Sequence, residues 1–285
     1  ETDAELVMAS DPDADRVGAA VKNNEGEWVL LNGNQTALMF VYYLITRWKE
    51  LGKINGKEYI VKTIVTTETI KTIAERNGVE MYDVYTGFKW IANVMRENEG
   101  KKNYIGGGEE SYGFLCEDFV RDKDAVSACV ILAEIAAWAK DQGLSLYQLL
   151  QKIYVEYGFS KEKGISVVKK GKSGAEEIEA MMKKFRENPL TEIAGSKVTY
   201  FYDYSTLKGK DYAENETVTL DMPTTSNVLQ YFTEDNTKVS IRPSGTEPKI
   251  KFYCEVHSKV KNIDELPEAE KAAEEKINQI KASLG

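Results

Sequence analysis

The chain of 285 residues carries 37 Lys and Arg against 46 Asp and Glu, a formal net charge of −9. That length can bury a core in one to three domains, and 42% hydrophobic with 29% charged residues excludes a disordered chain. The acidic balance argues against a nucleic-acid binder. One His and three scattered cysteines (Cys116, Cys129, Cys254) argue against zinc sites, multi-His metal sites and a disulfide framework.

No apolar run approaches the roughly 18 residues of a membrane span, and no signal peptide is visible. The expectation is therefore a cytoplasmic protein. In chain order, residues 5–10 read as a buried strand. Residues 17–21 and 28–31 read as a hairpin around Asn23-Asn24-Glu25-Gly26. A strand with nothing before it to pair with suggests that residues 1–33 close a domain that starts upstream.

From Asn34 the period changes. Leu38, Val41, Leu44, Ile45 and Trp48 mark one face of a helix ending near Gly52. A β-branched run (59–66), a helix (68–77), a strand (79–84), a helix (88–98) and a strand (103–105) follow. Long helices are expected over 124–140 and 145–157. Strands alternating with helices predict a doubly wound α/β domain over 34–158. Ligand loops in such a domain lie beyond the strand C-terminal ends. Those ends are Thr66-Thr67, Thr86-Gly87 and the segment 106–113.

The Lys/Gly-rich stretch 159–174 reads as a hinge. Beyond it come a helix (175–186), strands at 197–204, 217–220, 227–232, 238–242 and 249–257, and a helix (268–282). This pattern predicts an α+β domain with an antiparallel sheet over 159–285. The charged run 265–281 reads as a solvated helix face.

Four segments can carry chemistry. In Asp11-Pro12-Asp13-Ala14-Asp15-Arg16, three alternating carboxylates after a strand can converge on one hard cation. A solvated acidic turn fits the spacing equally, but Arg16 beside the triplet suits an anionic substrate such as phosphate. In Gly106-Gly107-Gly108-Glu109-Glu110-Ser111-Tyr112-Gly113, glycines would let backbone approach a ligand, and Glu and Ser suit sugar hydroxyls. On composition alone a flexible strand–helix connection is the simpler reading.

In Arg242-Pro243-Ser244-Gly245-Thr246-Glu247-Pro248, an Arg fork, two hydroxyls and exposed backbone N–H groups make a stiff phosphate grip. Finally, Lys89 in Thr86-Gly87-Phe88-Lys89-Trp90 stands at a helix start, where the dipole gives a cation nothing. Proton transfer or a phosphate contact would fit, as would a surface lysine between core aromatics. His257 falls opposite the apolar face of its strand and reads as structural.

Taken in order, DPDADR, TGFKW, EESYGF and RDKDAV, closed by the RPSGT loop, resemble the α-D-phosphohexomutase family of phosphoglucomutases and phosphomannomutases over nearly the whole chain. The phosphoglucomutase branch is the nearest in pattern. The resemblance implies transfer of phosphate between C1 and C6 of a hexose, from glucose 1-phosphate to glucose 6-phosphate, through a bisphosphate. It implies Mg²⁺ on Asp11, Asp13 and Asp15, with Arg16 near the transferring phosphate and Lys89 as candidate acid/base. Glu109 and Ser111 would bind sugar hydroxyls, and Arg242, Ser244, Gly245 and Thr246 would grip the other phosphate. Asp124 matches a family Asp-Gly pair but is followed by Ala125, and it receives no chemical role.

The family's phosphorylated serine lies in a TASHNP-like segment that these 285 residues do not contain. The chain is therefore expected to be the C-terminal part of such an enzyme, and inactive by itself. Phosphomannomutase and phosphopentomutase specificities stay open. So do a non-catalytic sugar-phosphate-binding module and a metal-dependent phosphatase with Asp11 as nucleophile.

Overall fold

The computed structural model describes residues 3–169, 171–245 and 247–284. The chain divides into two compact units. The first runs to Gly158 and takes in Val260–Ile263; the second comprises Phe159–Lys259 and continues from Asp264.

In the first unit, β1 (Leu6–Ser10), β2 (Val17–Lys22) and β3 (Trp28–Leu31) form an antiparallel sheet of order β1-β2-β3. The hairpin turn is tight because Asn23 Oδ1 accepts from Glu25 and Glu27 N–H, and Gly26 takes a positive φ of 81°. α1 (Gly33–Glu50) follows, started by a capping box of Asn32 and Gln35.

Then come β4 (Glu58–Thr63), α2 (Thr69–Arg76), β5 (Glu80–Val84), α3 (Phe88–Asn98), β6 (Asn103–Gly108) and β7 (Phe114–Cys116). The sheet order is β5-β4-β6-β7, with β4, β5 and β6 parallel and β7 antiparallel. The crossovers through α2 and α3 make this the expected α/β architecture, built on a mixed sheet. α4 (Ala125–Asp141) is capped by Asp124, whose side chain accepts from Val126 and Ser127 N–H, so Asp124 is a structural residue. α5 (Leu146–Tyr157) starts at a Ser145/Gln148 capping box and stops at Gly158.

One expectation changes here. The run Gly106-Gly107-Gly108 is strand, not loop, and its glycines serve packing. A Cβ on Gly107 would lie 2.3 Å from the Val61 carbonyl oxygen of the neighbouring β4. The central strand β4 also buries two charges. Glu58 accepts N–H donors from Asn55, Gly56 and Lys57, and Lys62 Nζ bonds Asp83 Oδ1 at 2.7 Å and Glu68 Oε1 at 2.9 Å.

The second unit contains β8 (Phe159–Val168), α6 (Gly171–Glu187), β9 (Glu192–Ile193), β10 (Ser196–Asp203), β11 (Lys208–Asp211), β12 (Glu216–Thr219), β13 (Leu229–Thr233), β14 (Lys238–Pro243), β15 (Lys249–Ser258), a short 3₁₀ turn (Ile263–Glu265) and α7 (Leu266–Leu284). The antiparallel order is β12-β11-β10-β13-β14-β15-β8, with β9 on β10.

The stretch 159–174 is therefore not a hinge. Its first ten residues pair with β15 along their whole length as an edge strand, and α6 begins at Gly171. The lysines that suggested a linker protect that edge. Lys161 bonds Glu270 at 2.9 Å and Lys163 pairs with Glu274, so the charged face of α7 holds the strand as well as facing water.

Ile250, Phe252, Cys254 and Val256 are buried, as their alternation predicts. His257 is structural: its Nε2 lies 2.7 Å from Glu255 Oε1. Glu255 is in turn paired to buried Lys238 at 2.9 Å. Among the described residues, no helix is long and apolar enough to cross a membrane.

Candidate functional site

The carboxylate loop joins β1 to β2. Asp11 Oδ1 accepts N–H donors from Asp15 (3.1 Å) and Arg16 (3.2 Å), and Ala14 takes a positive φ of 56° to close the turn. Burial raises the Asp11 pKa, but these donors and the Arg16 charge outweigh it and hold the carboxyl below its ordinary value. Asp13 is exposed and Asp15 half-buried.

Among the described residues, no group of three or more His, Cys, Asp or Glu side chains gathers to hold a metal. The expected convergence of Asp11, Asp13 and Asp15 is thus not closed in this conformation, because Asp11 is spent on the backbone and Asp13 points to solvent. The donor chemistry nevertheless fits a hard cation. Asp15 Oδ1 is buried and accepts no hydrogen bond. Asp15 Oδ2 meets a cation already, Lys123 Nζ at 2.8 Å.

Lys123 was missed in the sequence, where it is one charge among several in the RDKDA segment. Its side chain is only 15% exposed. Burial lowers its pKa, but Asp15, Asp122 and Glu109 more than offset this and keep it above the ordinary lysine value. Its stem also fits over Gly113, where a Cβ would stand 2.5 Å from Lys123 Cδ. Ala125 N–H donates to the Ala14 carbonyl at 3.0 Å, so the α4 start is tied to the carboxylate loop twice.

The segment after β6 turns sharply into β7. Glu109 is 7% exposed, and its Oε1 accepts the Gly87 N–H at 2.7 Å. Gly87, with φ 111°, is the N-cap of α3, so Glu109 positions the TGFKW loop. Glu110 turns back: Thr63 Oγ1 donates to its Oε2 at 3.2 Å, and its N–H donates to Thr66 Oγ1 at 3.2 Å. Ser111 is half-buried and Tyr112 is exposed. Lys89 is exposed on the first turn of α3, its Nζ 5.1 Å from the Trp90 ring centre. The structure thus brings the loops of Asp15, Glu109 and Gly87 together within one unit, through Lys123 and Glu109.

In the second unit, Arg242 lies near the end of β14 opposite Lys251, and the loop 243–248 turns into β15. Ser244 N–H donates to the Lys249 carbonyl at 2.7 Å, and Lys249 Nζ bonds Glu247 at 2.8 Å. Gly245 is exposed, with open space where a side chain would stand. Thr246 lies outside the described residues. The loop opens on a cavity of about 900 Å³ lined by Ser244, Gly245, Glu247, Ile178, Met182 and Arg186.

Comparison with known proteins identifies the family. Residues 32–157 match the family model described as phosphoglucomutase/phosphomannomutase, alpha/beta/alpha domain III, and residues 166–273 match its C-terminal domain. The chain is 38% identical over 263 residues to a phosphoglucomutase of Staphylococcus aureus, covering 92% of this chain and 46% of that protein. To the Staphylococcus haemolyticus phosphoglucomutase it is 33% identical over 266 residues, covering 93% and 47%. The chain spans about half the length of the curated relatives it matches.

Its fold resembles a phosphoglucomutase/phosphomannomutase family protein from Burkholderia thailandensis (TM-score 0.60, 18% identity, 99% of this chain and 47% of that one). It also resembles the open form of the Paramecium phosphoglucomutase parafusin (TM-score 0.58, 17% identity, 96% and 45%). With both family models matched in order over most of its length, the chain belongs to the phosphoglucomutase/phosphomannomutase family.

Proposed function

We propose that this chain is the C-terminal part of a phosphoglucomutase-type enzyme that moves phosphate between C1 and C6 of a hexose phosphate. The observation that carries this is the joining of three loops at the ends of separate elements. Glu109 bonds Gly87, and Lys123 bonds Asp15 and packs on the turn that follows Ser111. Such a cluster offers carboxylates, cations and hydroxyls within one unit, the equipment for charge neutralisation and positioning in phosphoryl transfer.

In this reading Arg16 draws in the phosphate, its guanidinium half-exposed beside the loop. Ser111 and the second oxygen of Glu109 hydrogen-bond sugar hydroxyls. Lys89, on the first turn of α3, is the candidate proton carrier or phosphate contact. Arg242, Ser244 and Gly245 form a phosphate grip in the second unit, with Thr246 beside them in sequence. Asp11, Asp13 and Asp15 are the residues that would hold Mg²⁺, whose charge would lower the repulsion between phosphate and an incoming oxygen. A phosphatase acting through Asp11 is the weaker reading, since Asp11 Oδ1 is committed to two backbone donors.

Calorimetric titration with glucose 1,6-bisphosphate tests the grip. Binding should be measurable with the full-length protein, and Arg242→Ala should weaken it by about tenfold or more. Unchanged affinity removes Arg242 from the site.

A further inference from the structure

The chain contains three Asn-Gly pairs, Asn32-Gly33, Asn55-Gly56 and Asn77-Gly78. An Asn followed by Gly is the pair most open to loss of its side-chain amide, because glycine puts no side chain in the way of its own nitrogen. The structure holds two of the three shut. Asn32 caps α1: its Oδ1 accepts the Gln35 N–H at 2.8 Å, and a Cβ on the buried Gly33 would lie 2.0 Å from the Glu110 carbonyl oxygen. The Asn77 side-chain amide is held at both ends. Its Nδ2 donates to the Ile73 carbonyl at 2.9 Å and to Tyr157 Oη at 3.2 Å, and Lys49 Nζ donates to its Oδ1 at 3.2 Å.

Asn55 differs. It and Gly56 are exposed in the turn between α1 and β4, Gly56 has a φ of +91°, and nothing lies within 4 Å of where a Gly56 Cβ would stand. The turn is fastened by one carboxylate oxygen. Glu58 Oε2, on a residue only 2% exposed, accepts the N–H groups of Asn55 at 2.7 Å, Gly56 at 3.0 Å and Lys57 at 3.1 Å. We propose that Asn55 is a site of spontaneous deamidation and that Glu58 restrains it. Gly56 N attacks Asn55 Cγ, a C–N bond forms, and the side-chain nitrogen leaves as ammonia with the proton that Gly56 gives up. Water then opens the succinimide to aspartate or isoaspartate. While the Gly56 N–H donates to Glu58 its nitrogen is not a nucleophile, so the turn must open first. The product sets a second carboxylate beside Glu58. As isoaspartate it also adds a methylene to the backbone, so the three donors no longer align at the start of the central strand β4.

The test incubates the full-length protein at about pH 8 and about 37 °C for about two weeks and maps its peptides by mass spectrometry. The Asn55 peptide should gain about 1 Da and separate into aspartate and isoaspartate forms, at least about fivefold faster than the Asn32 or Asn77 peptide. Asn55→Gln should remove this product. Glu58→Gln weakens the restraint and should speed conversion at Asn55 by about two- to tenfold while leaving Asn32 and Asn77 slow. The converted protein should unfold about 2–4 °C below the parent, and Asn55→Gln incubated alongside should keep its midpoint. Asn32 or Asn77 converting first, or an Asn55 that stays intact in Glu58→Gln, would overturn the site. An unchanged rate in Glu58→Gln, or an equal rise at all three pairs, would overturn the restraint.

Discussion

The Gly87 amide donates to Glu109 Oε1 at 2.7 Å. A carboxylate expected to read sugar hydroxyls is therefore also the cap that holds the start of α3. Glu109 is 7% exposed, so its loss leaves the Gly87 N–H without its carboxylate partner in a nearly closed site. Glu109→Ala should destabilise the first unit by about 1–3 kcal/mol in urea unfolding. Glu109→Gln keeps an acceptor oxygen and should cost less than half as much. Equal losses would show that the Gly87 bond is unimportant.

The second unit should have a pH-dependent stability centred on His257. Burial lowers the His257 pKa, but Glu255 beside it, helped by Glu162 and opposed by Lys238, carries the net value above that of an ordinary histidine. Its stabilising contribution is then fully present below about pH 6.5 and lost as pH rises through the folded value. The thermal stability of the second unit should fall from about pH 6.5 upward, and His257→Gln should flatten that slope. At the acid end, Lys238 and His257 hold the Glu255 carboxyl far below its ordinary value despite burial. Its contribution should therefore survive as pH falls through the usual carboxylate range.

Periodicity made most elements legible: the helices α1, α3 and α4 and the alternation of β15 appear where the pattern places them, although α1 is buried on every side from Thr36 to Ile45 rather than on one face. It failed where charge or glycine stood in a strand for reasons of packing. Lys161 and Lys163 read as linker because their partners, Glu270 and Glu274, lie more than a hundred residues away. Gly106–Gly108 read as a ligand loop because the Val61 carbonyl that excludes a side chain is visible only in three dimensions. The site shows the same limit. Motif residues could be named, but Lys123 and Thr63, which help to hold them, carry no local signal.

Gly107→Ala tests the packing account of that strand. A methyl group 2.3 Å from the Val61 carbonyl oxygen forces β4 and β6 apart. The expected cost is about 3 kcal/mol, read as a lower unfolding midpoint. Gly245→Ala, with open space at its Cβ, should cost far less.

If Asp15 holds Mg²⁺ as proposed, Lys123 and the cation compete for the same carboxylate. Lys123→Met removes the ammonium 2.8 Å from Asp15 Oδ2, so calorimetry should find Mg²⁺ binding several-fold tighter than in the parent. Asp15→Asn should weaken it. Weaker Mg²⁺ binding by Lys123→Met would place the cation away from Asp15.

The central claim is transfer of phosphate between C1 and C6 of a hexose, and ³¹P NMR reads it directly. The full-length protein with Mg²⁺, glucose 1-phosphate and a trace of glucose 1,6-bisphosphate should replace the C1 phosphate resonance by that of glucose 6-phosphate, with little free phosphate. This 285-residue chain, which contains no TASHNP-like serine segment, should leave the C1 resonance unchanged. Accumulation of inorganic phosphate without glucose 6-phosphate, or conversion by this chain alone, would contradict the account.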